Sequence, residues 1–468
     1  MNPEQGSEVH SGKVHSGKVH SGKVHSGKVP FSTALMVWLK IGLINFGGPA
    51  GQIALMHKML VEERKWISET RFLHALNYCM LLPGPEAQQL AVYMGWLMHK
   101  TWGGLVAGVL FILPGFLLML CISILYVSYG ELPSLQGLLF GMQAATLAIV
   151  LEALLRLGKR ALKQRWLYVI SVLAFLAIFA FAVPFPVIIV AAALIGLVHQ
   201  KFVARAPLVA CASTPVTAIE NAMDAMQSQP SVRWFCTVLG VGLILWATPV
   251  LLLLLYLGPE NVFTQEALFF SKMSVVTFGG AYAVLAYVTQ QAVQHYAWLS
   301  TEEMVQGLAL AETTPGPLIL VLTYVGFLAA YRAPGGLDPM FAGVLGATLS
   351  SWVTFVPCFL WIFLGAPFIE RMRGNRWLNG ALSVITAAVV GVIANLSIWF
   401  ALHVLFRDVR VWHGVMGLAV PMPNLHSVDA AALTLSVIAV LAMFKFQVGL
   451  MRTLLLCALL GLAVKVGF

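Results

Sequence analysis

Long apolar stretches alternate with short polar breaks along most of this chain, and their lengths predict membrane-crossing helices. In the first half the stretches run at about 103–127, 135–156, 166–182 and 185–198. A further stretch covers 234–257, and others follow near 340–364, 377–402, 429–446 and 450–466. Most approach or exceed the roughly 17–25 residues that a helix needs to cross a bilayer. Four other apolar segments, 31–57, 69–99, 265–290 and 300–330, are each interrupted by glycine or proline. Polar residues collect in a tail at 1–30 and in a linker at 199–233 that contains Glu220, Asp224 and Pro230. The pattern divides the chain into that tail, a first unit at 31–198, the linker, and a second unit at 234–468. The expected fold is an all-α integral membrane protein.

The two units repeat one another. Phe46-Gly47-Gly48, Trp66-Ile67-Ser68 and Pro83-Gly84-Pro85 recur as Phe278-Gly279-Gly280, Trp298-Leu299-Ser300 and Pro315-Gly316-Pro317, all 232 residues later. Lys40 falls on Lys272 at the same offset. Three motifs in one register point to duplication. Basic residues set the orientation. Arg156, Lys159, Arg160, Lys163 and Arg165 place one loop of the first half in the cytoplasm, whereas its second-half counterpart holds only Arg407 and Arg410. Arg371, Arg373 and Arg376 reverse the bias in the preceding loop, before 377–402, whose first-half counterpart around Glu131 has no basic residue. Opposite bias in equivalent loops predicts an inverted-topology repeat. Lys58, Arg64, Lys65 and Arg71 favour the inside for 57–71, while 291–302 has no lysine or arginine and favours the outside. That combination fits re-entrant broken segments, with single bent spans as the alternative. The N-terminus is expected in the cytoplasm.

Composition narrows the class. Hydrophobic residues make up 59% and charged residues 10%, against about 25% charged in soluble domains. The net charge of +9 belongs to loops and tail, so no nucleic-acid partner is expected. Six scattered cysteines show no C-x-x-C and no disulfide frame. The tail carries four Val-His-Ser-Gly-Lys copies over 9–28. It matches G-x-x-x-x-G-K, but Val19 stands where the phosphate loop needs Ser or Thr. No metal, cofactor or catalytic constellation is expected, which leaves enzyme and scaffold as the weaker classes.

The breaks carry the chemistry. Gly47-Gly48-Pro49-Ala50-Gly51 and Pro83-Gly84-Pro85 cannot continue a smooth helix. Irregular backbone at membrane depth survives only where protein buries it or it lines a cavity. Each restarting helix presents free amides and the positive end of its dipole. Asn45, Gln52, Gln88 and Gln89 add amides; Thr277, Thr313 and Thr314 add hydroxyls. Lys40 and Lys272 add charge that costs roughly 2.5–3.5 kcal/mol inside a span. The sum predicts an anion site made of Lys40, Asn45, Gly47, Gly48, Gln52, Pro83, Gly84, Pro85, Gln88, Lys272, Thr277, Gly279, Gly280, Thr313, Thr314, Pro315, Gly316 and Pro317. Replacing either lysine by glutamine is expected to cut transport by about tenfold or more, because a buried charge would lose its partner. Glu86 and Glu312 flank the two turns without being repeat-equivalent and are candidates for coupling.

At Asn45-Phe46-Gly47-Gly48-Pro49-Ala50-Gly51-Gln52, Leu82-Pro83-Gly84-Pro85-Glu86-Ala87-Gln88 and Thr314-Pro315-Gly316-Pro317 the chain resembles the chromate ion transporter family in its long, two-unit form. The resemblance covers about residues 31–405. It implies export of chromate, with sulfate as the related oxyanion, across a bacterial inner membrane, giving chromate resistance. The second half departs at Ala281-Tyr282, where the first has Pro49-Ala50, so unequal contributions from the halves are expected.

Overall fold

The computed structural model describes residues 29–46, 48–80, 82–203, 232–276, 278, 281–366, 376–414 and 419–466. The Val-His-Ser-Gly-Lys tail, most of the linker, and Gly47, Thr277, Gly279 and Gly280 lie outside the described residues.

The first half runs α1 (Phe31–Ile44), α2 (Gly48–His57), α3 (Glu69–Cys79), α4 (Glu86–Tyr129), α5 (Pro133–Ala161), α6 (Arg165–Phe181) and α7 (Phe185–Val203). The rest runs α8 (Val232–Leu257), α9 (Val262–Val276), α10 (Ala281–Thr289), α11 (Thr301–Thr313), α12 (Val321–Arg332), α13 (Pro339–Gly365), α14 (Arg376–Leu405), α15 (Ala430–Val440) and α16 (Leu450–Val466). Among the described residues, five helices are long and apolar enough to cross a membrane, within α4, α5, α8, α13 and α14. All-α needs one correction: Val409–His413 pairs antiparallel with Ala419–Pro423 as a small hairpin. The pairing keeps the backbone of this connection hydrogen-bonded, and no apolar periodicity announces it.

Local signals fix the helix ends. Ser68 and Ser300 both cap N-termini, and Ser300 forms a full capping box with Glu303. Asp338 caps α13 with Pro339 in its first turn. Asp429 accepts from the amides of Ala431 and Ala432 and from Arg407.

The duplication reaches backbone detail. Helix α2 continues into a π turn at Lys58–Glu63, and α10 does the same at Gln290–His295, 232 residues later. Lys65 and Ala297 then share left-handed backbone, with φ of 54° and 51°. The following amides close the same six-residue ring, Trp66 to Leu60 at 2.9 Å and Trp298 to Ala292 at 2.8 Å. Ala182 and Gln447 repeat this ending with φ of 49° and 51°. These are Schellman closures that normally take glycine. A side chain there costs about 1–2 kcal/mol, partly offset because glycine is more flexible when unfolded. Ala297→Gly and Ala182→Gly are each expected to raise stability by about 0.5–1 kcal/mol, read as a higher midpoint of thermal unfolding in detergent. An unchanged or lower midpoint in both would refute this.

Each half also contains a tight helical hairpin. The helical run of α4 breaks at His99 and Lys100, where φ and ψ reach 55° and −147°. Residues 86–98 and 101–129 therefore fold back on each other. A Cβ on Gly95 would sit 2.3 Å from the Gly103 carbonyl oxygen. In the second half α12 and α13 form the matching hairpin, and a Cβ on Gly326 would sit 2.7 Å from the Gly346 carbonyl oxygen. Small residues let the two backbones touch.

The halves interlock rather than sit side by side. Helix α5 packs on α15 and α16 of the second half, while α14 packs on α6 and α7 of the first. Helices α5 and α14 also pack on each other, as do α4 and α13. Helices α5 and α14 therefore take most of their neighbours from the opposite half.

Candidate functional site

The four breaks predicted from sequence are present where described, and the structure shows which meet. After α1, Asn45 leaves the helix, and its carbonyl accepts from the amide of Gly316 at 2.8 Å. One turn into α2, Gln52 Nε2 donates to the carbonyl of the same Gly316 at 2.5 Å. The Phe-Gly-Gly break of the first half is thus held onto the Pro-Gly-Pro turn of the second.

Both Pro-Gly-Pro turns use glycine in a conformation closed to other residues, with φ of 120° at Gly84 and 103° at Gly316. Each turn lies against the long helix of the opposite half, beside that helix's internal proline. A Cβ on Gly84 would meet Cys358 Sγ at 2.8 Å, next to Pro357. A Cβ on Gly115, next to Pro114, would meet the Pro315 carbonyl oxygen at 2.1 Å. The two contacts are reciprocal, because Pro114 and Pro357 occupy matching places in α4 and α13.

Beside the first crossing sits a second group. Gly48 opens α2 with φ of 67°, and a Cβ there would lie 3.7 Å from Tyr282 Oη. Tyr282, at the start of α10, donates to Glu312 Oε1 at 2.9 Å. Glu312 is 4% exposed and ends α11 three residues before Pro315.

The polar atoms here are unusually poorly satisfied. Asn45 is fully buried, yet neither end of its amide has a partner. The same holds for Gln88. Gln52 Oε1, Gln89 Oε1 and Glu312 Oε2 are also buried without partners. Buried polar groups are hydrogen-bonded in the great majority of cases, and each orphan costs about 1–3 kcal/mol. A set of them at a crossing of broken helices has the chemistry of a site that exchanges polar ligands for water.

The remaining candidates are distributed as follows. Gln89 Nε2 donates to the carbonyl of Pro83 at 2.6 Å and so braces the first Pro-Gly-Pro turn. Thr313 and Thr314 donate to the carbonyls of Leu310 and Ala311, which commits their protons within α11 and leaves oxygen lone pairs free. Glu86 is half-buried in the first turn after Pro85, where a carboxylate favours the helix N-terminus.

The structure does not bring Lys40 and Lys272 into this cluster. Both are exposed. The buried stripe of α1 is Ala34, Val37, Trp38, Ile41 and Gly42, and Lys40 lies off it, beside exposed Met36, Leu39 and Leu43. Lys272 likewise stands beside exposed Leu268 and Val275. Helical periodicity places these lysines on outer apolar faces, where a long side chain extends its charge toward polar surroundings.

Three positions were not singled out from sequence. Tyr282 stood out only as a departure from the repeat. Gly115 reads as one more glycine in an apolar run. Glu266 is fully buried on α9 with both carboxyl oxygens unpartnered, beside Gly346. A lone acid in an apolar segment was the available signal for Glu266. Among the described residues no group of His, Cys, Asp and Glu could hold a metal.

Apolar helices too long for a soluble core, a duplicated plan and broken helices meeting over orphaned polar atoms define a multi-pass membrane transporter. Sequence comparison gives the family: the chromate transporter profile matches residues 33–197 and 264–462, and the chain belongs to that family. It is 32% identical over 368 residues to a chromate transport protein of Pseudomonas aeruginosa, covering 77% of this chain and 79% of the relative. It is 27% identical to a chromate transport protein of Cupriavidus metallidurans, covering 78% and 82%. A probable chromate transport protein of Synechococcus elongatus is 28% identical over 76% and 81%. No solved structure matches significantly.

Proposed function

We propose that this protein exports chromate from the cytoplasm across a bacterial inner membrane and so confers chromate resistance. The observation that carries the reading is the junction of Asn45, Gln52 and Gly316 beside the start of α2, in a chain of the chromate transporter family. Unpartnered amides and a helix N-terminus can replace part of the hydration shell of an oxyanion. Uptake of labelled chromate into everted vesicles, competed with sulfate, tests it. Failure of the vesicles to accumulate chromate would overturn export. Stronger competition by sulfate than by unlabelled chromate would favour the alternative, a sulfate carrier or exchanger.

Export needs no nucleotide. A dianion leaving down an inside-negative potential of about 100 mV gains roughly 4.6 kcal/mol, enough for an outward gradient above about a thousandfold at 1.4 kcal/mol per decade.

The two halves are read as an inverted-topology repeat, supported by opposite loop charge and by the reciprocal contacts of the two Pro-Gly-Pro turns. Single cysteines in 57–71 and 291–302, placed in a chain lacking its native cysteines, are expected to label from the cytoplasmic and external sides respectively. Labelling of the first loop from outside would favour single bent spans. The lysines at 40 and 272 are read as outer-face charges that attract anions to the membrane surface. The tail at 1–28 is read as dispensable. Its deletion is expected to leave resistance unchanged at equal expression, and a collapse of resistance would show otherwise.

A further inference from the structure

We propose that Glu312 takes up one proton when the oxyanion binds, so that each anion crosses together with one proton. The inference rests on the reading above that the junction of the two breaks is the anion site.

Glu312 is almost fully buried and makes one hydrogen bond, accepted on Oε1 from Tyr282. Its other oxygen has no partner. No ion pair to Glu312 forms among the described residues. Around it, α10 contributes Tyr282, and α5 contributes Glu152, which is itself paired with Arg156. From the first half comes the N-terminus of α2 at Gly48, on the far side of Tyr282 Oη. The phenol therefore links the carboxyl to the helix end that faces the anion.

The charge in this pocket decides the chemistry. Lys40 and Lys272 are exposed and stand outside it. An ionised Glu312 beside a dianion would set like charges together where little water screens them. A protonated Glu312 removes that repulsion, and its O–H can donate to an oxyanion oxygen. Proton and anion then strengthen each other's binding, and linkage makes the effect reciprocal. The balance is simple: one proton binds at Glu312 Oε2 with one dianion, and both leave on the opposite side. Tyr282 keeps its own proton throughout, and one net negative charge crosses per cycle, which halves the electrical drive described above for a dianion moving alone.

The repeat does not duplicate this pair. The positions equivalent to Tyr282 and Glu312 are Ala50 and Met80, which hold neither group. The Tyr282–Glu312 pair thus has no repeat equivalent, and the proton proposed here is the one that Glu312 itself binds.

The test uses full-length protein in proteoliposomes with the membrane potential clamped. For the intact protein, acidifying the chromate-loaded side is expected to drive uphill chromate movement, with one proton appearing per chromate. Glu312→Gln should exchange chromate between compartments of equal pH, lose gradient-driven accumulation, and show a KM that no longer varies with pH. Protonation of chromate in bulk water affects both proteins alike, so the difference between them belongs to Glu312. Tyr282→Phe should keep the coupling but shift the pH midpoint of KM, as expected of a positioning residue. If E312Q fails even to exchange, E312D decides: recovery of pH-driven movement supports the proposal, and its absence overturns it. Intact protein that ignores the pH gradient, or E312Q that still follows it, also overturns the proposal. Those results leave the anion-site reading standing, because that reading is tested separately by the loss of chromate uptake in Gln52→Leu.

Discussion

Gln52→Leu is expected to lower chromate transport by tenfold to a hundredfold while the protein still inserts. The glutamine bonds Gly316 across the two halves through Nε2, and its Oε1 is buried without a partner. Leucine is close in size but removes both functions. The Gly316 carbonyl then loses this partner in a dry place, at a cost of about 1–3 kcal/mol. At about 1.4 kcal/mol per decade, that is roughly the range stated. Gln52→Glu should do worse, because it sets a carboxylate where an anion must bind. The measurement is initial uptake into everted vesicles at matched membrane abundance. The exposed lysines give the comparison. Lys40→Gln and Lys272→Gln are expected to lose less than Gln52→Leu, since their charges lie on outer faces. Equal losses would return the lysines to the anion site. Near-normal transport by Gln52→Leu would remove the Asn45–Gly316 junction from the mechanism.

The hydrophobic pattern made most of the fold legible. The stretches expected at 135–156, 234–257, 340–364 and 377–402 correspond to α5, α8, α13 and α14. The four interruptions fall where glycine and proline forbid a helix, because those constraints are local to the backbone. Contacts between halves were not legible in the same way. Nothing in the composition of α5 says that α15 and α16, rather than α6 and α7, pack against it. The site divides along the same line. Asn45, Gln52 and the Pro-Gly-Pro turns were readable because they combine polar or irregular backbone with apolar surroundings. The lysines lie on exposed faces, and rarity in a span does not say which helix face a residue occupies. Their position opposite the Ala34–Val37–Trp38–Ile41 stripe was available from periodicity. Tyr282 became informative only when the structure placed Glu312 within hydrogen-bonding distance.

Gly115→Leu is expected to reduce transport more than tenfold and to lower thermal stability. Gly115 lies in the helical run at 101–129, where leucine would ordinarily be a better helix former than glycine by almost 1 kcal/mol. Local propensity therefore favours the substitution, and packing opposes it. A Cβ at this position would lie 2.1 Å from the Pro315 carbonyl oxygen and 2.6 Å from Leu320 Cδ1. The first of these is backbone in a turn already fixed by two prolines and by bonds to Asn45 and Gln52. It cannot swing aside as the end of a side chain can. Either α4 retreats or the Pro-Gly-Pro turn moves, and overpacking of this kind costs typically about 1–3 kcal/mol. Moving the turn displaces Gly316 from the two groups that hold it, so transport should fall even where the protein remains folded. Gly240, in α8, supplies the control, because a Cβ there meets nothing within 4 Å. Gly240→Ala should insert, transport normally and gain stability from helix propensity alone. If Gly115→Leu behaves like Gly240→Ala, the close approach of α4 to the second Pro-Gly-Pro turn has no part in building the site.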